Sequence, residues 1–80
     1  MKHILITPHS AEPSAVDATV ATLAALQPWP ATFLRDADGS LSWTDGALIA
    51  TAPNPDFVVF ACEQQGYAKS ARIVDELPPK

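Results

Sequence analysis

Proline placement constrains this chain more than any other feature. Prolines stand at positions 8, 13, 28, 30, 53, 55, 78 and 79. Inside a helix a proline removes a hydrogen bond and clashes with the preceding turn; inside a central strand it removes a ladder donor. Every regular element must therefore fit between these points, and the apolar residues do lie between the prolines rather than around them.

The first interval holds His3-Ile4-Leu5-Ile6-Thr7, a short aliphatic run stopped by Pro8, which reads as a strand. A helix start follows. Pro13 suits a first-turn position, where its missing N–H is no loss; alternatively Ser14 caps, with Asp17 three residues on. Val16, Val20 and Leu23 recur at helical spacing with Leu26 at their edge, and Ala18, Ala21 and Ala25 take the other face. The helix is expected over 13–27, ended by Pro28.

The remainder reads as hairpins. Ala31 to Asp36 is a strand, and Asp36-Ala37-Asp38-Gly39 is a turn. Ser40 to Thr44 alternates polar and apolar, and Asp45-Gly46 is a two-residue hairpin signal leading into Ala47 to Thr51. That register sets Trp43 opposite Leu48 and Leu41 opposite Ala50, with Leu34 on the same face. After the Pro53–Asp56 turn, Phe57 to Cys62 is apolar on both sides and is expected to be a central strand. Ala68 to Val74 is a last strand, although Tyr67, Ala71 and Val74 also match helical spacing. The expected fold is α+β, in the order β-α-β-β-β-β-β, with a single antiparallel sheet and one helix packed on one face. In element order alone this resembles a cystatin-like roll. Eighty residues make one domain, placed at 1–77 with 78–80 as a tail.

Nothing in the sequence carries catalysis, a cofactor or a metal. His3 and His9 match no zinc spacing. Cys62 has no CxxC partner and ends the most apolar run, where a thiol behaves as a small hydrophobe. Asp36-Ala37-Asp38-Gly39-Ser40 fails as a calcium loop, because Leu41 and Ala47 stand where glycine and glutamate are required. Three glycines do not make a phosphate-cradling loop. The acids lie in turns, at element ends or in the first helical turn, where raised pKa values are not expected. The expectation is a protein that is not an enzyme. The longest apolar stretch is too short for a membrane span, and the apolar run of residues 1–8 is too short for a signal peptide, so a cytoplasmic location is expected.

Charge carries what functional reading there is. Nine acids against five bases give a net charge of −4. Direct nucleic-acid binding needs a basic patch, and Lys2, Arg35, Lys69, Arg72 and Lys80 are scattered. In the expected meander, Asp36, Asp38, Asp56, Asp75 and Glu76 collect at one end of the sheet and steer a protein with a basic surface. Asp also favours turns for local reasons. Trp29, held between Pro28 and Pro30, is a candidate interface anchor, and the smooth alanine face of the helix could contact a partner or a second copy. The expected function is a small acidic protein-binding module, in the manner of phage and mobile-element inhibitors such as anti-CRISPR proteins, which block the nucleic-acid-binding surface of a host protein. The alternative is a roll that binds a small molecule or peptide in a pocket between helix and sheet, lined by Trp43, Phe33 and Phe60.

Overall fold

The computed structural model describes residues 2–76; the expected tail at 78–80 lies outside them. Seven elements follow one another: β1 (His3–Thr7), α1 (Pro13–Ala24), β2 (Thr32–Phe33), β3 (Trp43–Thr44), β4 (Ala47–Thr51), α2 (Pro55–Gln64) and β5 (Ser70–Val74). The five strands form one antiparallel sheet in the order β2-β4-β1-β5, with β3 beside β2 along the same edge of β4. Each helix links two strands that have a third between them. This is the split β-α-β arrangement of ferredoxin-like folds, with its second strand broken into β2 and β3. It carries no functional implication by itself.

Two helices replace the single expected one, and with them goes the likeness to a cystatin-like roll. The segment Phe57–Cys62, expected as a central strand, belongs to α2. Local chemistry decides it. Pro55 takes a first-turn position, Asn54 caps by accepting from the Phe57 amide at 3.2 Å, and Asp56 adds an acid at the positive helix end. Val58, Ala61 and Cys62 then fall on one buried face at helical spacing. Asn54→Ala is expected to cost about 1 kcal/mol, read as a lowered midpoint in urea with an unchanged m-value.

The other elements follow the sequence, some with shorter bounds. The helix α1 ends at Ala24, three residues before the expected limit. It starts with Pro13 at its first position and Glu12 outside it, so Ser14 is inside the helix and does not cap it. β1 and β4 have their expected limits, and residues 70–74 form a strand rather than a helix. Trp43 does pair with Leu48. Leu41 does not pair with Ala50: Phe33 takes that partner, while Leu41 bridges Arg35. The strands expected over 31–36 and 40–44 touch β4 only at their outer ends, and residues 34–42 leave the sheet edge as a hydrogen-bonded loop. Leu34 and Ser42 both hold this loop to Ile49, through Leu34 N to Ile49 O (3.0 Å) and Ile49 N to Ser42 O (3.3 Å).

Alternation along β1 divides the core. Ile4 and Ile6 face Leu23 of α1 and Val58 and Cys62 of α2, with Ala50 and Ala71 from the flanking strands. Both helices therefore cover the same face. Leu5 points the other way into a smaller cluster with Ala47 and Ile49, where Leu34 packs, so Leu34 does not share the face of Trp43 and Leu48. No helix among the described residues is long and apolar enough to cross a membrane.

Candidate functional site

The helical layer turns its uncharged shoulder outward. Ala18, Ala21, Ala24 and Ala25 of the α1 segment are exposed, as the alanine pattern implies. On α2 the buried face is set by Val58, Ala61 and Cys62, which forces Phe57 and Phe60 towards α1 and the solvent. Phe60 is 55% exposed. Trp29 is 41% exposed and meets Phe57 edge-to-face, with ring centroids 5.3 Å apart. This geometry is favourable for aromatic pairs, and it leaves Trp29 both anchored and accessible.

Between the helices lies a hollow of about 440 Å³ lined by Leu26, Phe57, Phe60, Ala61 and Tyr67, with Thr22 and two glutamines at its rim. A second hollow of about 310 Å³ continues it, sharing Thr22 and Tyr67 and floored by Ala15 and Ala18. His9 closes the far end, its Nε2 donating to the Gly66 carbonyl at 2.8 Å. No Asp, Glu, Lys or Arg lines either hollow.

Charge is segregated between the two layers. The helices and the α1 cap contribute Glu12, Asp17, Asp56 and Glu63 and no base, whereas Lys2, Arg35, Lys69 and Arg72 all lie on or beside strands. Asp56 and Glu63 stand one turn before and one turn after Phe60 on α2, so they border the aromatic hollow on its outer side.

The chain matches no family model, no curated protein and no solved structure.

The five acids read from the sequence fall in two places. Asp56, Asp75 and Glu76 lie at the same end of the sheet, because β4 and β5 both run antiparallel to β1 and finish there. The β1–β5 register ends at His3 and Val74, so Lys2 and Asp75 are the next residues outward. Asp36 and Asp38 sit on the loop that leaves the edge at the level of Ile49. Their carboxylates hold that loop together. Asp38 accepts from the Ser40 hydroxyl (2.6 Å) and amide (2.9 Å), which keeps its carboxyl below the usual range, and Asp36 accepts from the Ser42 hydroxyl at 2.8 Å. At the opposite end Asp45 faces Arg72 at 3.9 Å; both are well exposed, so the pair adds little stability.

The remaining candidates separate as well. Phe33 packs at the core margin, Trp43 is 39% exposed on β3, and Phe60 lines a hollow between the two helices rather than between helix and sheet. Cys62 is fully buried, and desolvation, with a smaller contribution from Glu63, pushes its thiol up to about 11. The described residues contain no group of three or more His, Cys, Asp or Glu able to hold a metal ion. Phe57, Tyr67 and Glu63 are site residues that the strand reading of 57–62 concealed. Read as a helix, the same residues place Phe57 and Phe60 on one side at i, i+3.

Proposed function

We propose that this chain is a non-catalytic protein-binding module whose helical layer receives a basic surface of another protein. The observation that carries the reading is the coincidence, on one layer, of accessible aromatics and of acids without any compensating base. Aromatic side chains beside an apolar hollow give binding energy and lifetime, while acids around them speed encounter with a cationic partner and reject anionic ones. Direct contact with phosphate backbones is disfavoured by the same field. An inhibitor of the kind carried by phages and mobile elements, anti-CRISPR proteins among them, needs this combination when it occludes a nucleic-acid-binding surface of a host protein.

The test is affinity capture from the cells of origin, followed by kinetics with the purified partner. Raising salt from about 0.1 M to about 1 M shortens the Debye length from about 10 Å to about 3 Å and is expected to slow association steeply. Asp56→Lys with Glu63→Lys should slow it about tenfold even at low salt. Phe60→Ala and Trp29→Ala should instead hasten dissociation. Reversing Asp36 and Asp38 to Lys examines the edge loop separately, and slows association only where the partner reaches that edge. A complex indifferent to salt and to all of these substitutions would refute the module.

A further inference from the structure

We infer that the occupant of the groove between α1 and α2 is an amphipathic helix carrying large apolar anchors on one face and Lys or Arg along its flank. The inference rests on the protein-binding reading and specifies the partner's local structure. The two hollows form one trough, because Thr22 and Tyr67 belong to both. On α1 the lining runs from Ala15 to Thr22, two turns or about 10 Å, and the aromatic hollow continues it past the helix end at Leu26. That length accommodates anchors at i,i+4 or i,i+7, the pattern by which helices occupy apolar grooves. The aromatic hollow suits a bulky side chain and the alanine-floored one a smaller side chain.

An extended segment fits less well. The trough is walled by α1, α2 and the loops at their ends, and none of its lining residues belongs to a strand, so no sheet edge is presented there to an extended segment. A helix brings its own backbone bonds and asks only for side-chain contact. Charge sets the rest. Asp56 and Glu63 flank Phe60 on the outer side of α2, and the helical layer has no base to answer them. A second copy seated on this face would set those acids against its own, a like-charge juxtaposition that costs affinity. Lys or Arg on the flank of a foreign helix would be attracted by the same acids.

The probe is a synthetic Leu/Lys peptide of about 14 residues, some 21 Å when helical, with its leucines at i, i+3, i+4 and i+7. Two counterparts accompany it: the same composition scrambled, and the same pattern with Glu for Lys. Titration calorimetry gives affinity and circular dichroism gives helix gained on mixing. The patterned Leu/Lys peptide is expected to bind and become helical. Phe60→Ala should weaken it at least about tenfold, as should Asp56→Lys with Glu63→Lys. Arg72→Glu on the sheet should leave affinity unchanged, and thermal melts of each variant show that the fold persists. Failure of the Leu/Lys peptide to bind, equal binding of either counterpart, binding without helix gain, or indifference to the Phe60 and acid substitutions would overturn the inference. A chain that ignores the peptide yet captures a basic protein through Trp29 and Phe60 keeps the module and loses the helical occupant. Loss of both, with the fold intact, removes the two together.

Discussion

Leu23→Ala is expected to lower stability by about 3 kcal/mol and the melting temperature by about 15–20 °C. Leu23 is fully buried in the main core, between α1 and the sheet. Its backbone carbonyl also accepts the Ala31 amide at 3.0 Å, tying the helix exit to the approach of β2. Truncation opens a cavity at a site where Ile4, Ile6 and Val58 are themselves fully buried and held by their own elements. An 80-residue domain has about 4–12 kcal/mol to lose, so one such cavity removes a large share. Phe60→Ala supplies the contrast: a comparable loss of apolar volume at an exposed position should barely move the melt. A fall of less than about 1 kcal/mol for Leu23→Ala would mean that α1 is not docked through this residue.

Alkaline destabilisation is expected to run through Cys62. Burial raises the thiol from 9.0 to about 11 in the folded state, with Glu63 adding to the shift. The neutral thiol is thus the form that the fold favours. Below about pH 9 both states carry it protonated and the stabilisation is fully present. As pH climbs from 9 towards 11, the unfolded chain releases this proton first, and stability falls by about 2 kcal/mol for a shift of this size. The readout is a difference, which isolates the thiol: urea midpoints for wild type and Cys62→Ala between pH 7 and 11. The variant should be less stable at pH 7 and lose less with rising pH, so that the two curves converge. Parallel curves would show that the thiol contributes nothing to the alkaline slope. Folded protein should also react with a thiol reagent far more slowly than unfolded protein, since the thiolate is scarce and shielded.

Much of the fold is legible in the residues, and the places where reading fails have physical causes. His3–Thr7 and Ala47–Thr51 are short, β-rich and bounded by Pro8 and by the Asp45-Gly46 turn, so their limits are local facts. The stretch Val58-Val59-Phe60-Ala61-Cys62 is different. Its run of apolar residues fits a buried strand as well as a helix, and only the punctuation ahead of it, Asn54-Pro55-Asp56, distinguishes the two. Once that segment is a helix, the aromatic groove follows, since Phe57 and Phe60 must lie beside α1. The acidic turn at Asp36–Gly39 misleads for another reason. Its strands look long enough to carry it to the end of the sheet, but tertiary pairing gives Ala50 to Phe33 and Thr51 to Thr32. Trp29 is legible as an accessible aromatic from its neighbouring prolines alone, although its contact with Phe57 is not.

The interruption between β2 and β3 leaves the sheet with unlike borders. On that side, the departing loop and its side-chain-held turn deny an incoming chain a continuous template. Among the described residues, β5 has β1 on one side and no strand on the other. Its middle residue is Arg72. Two molecules approaching border to border in symmetric antiparallel fashion would meet guanidinium against guanidinium at the centre of the new ladder, a repulsion that discourages stacking into filaments. Arg72, which adds little stability through its exposed partner Asp45, thus weighs against that one pairing geometry.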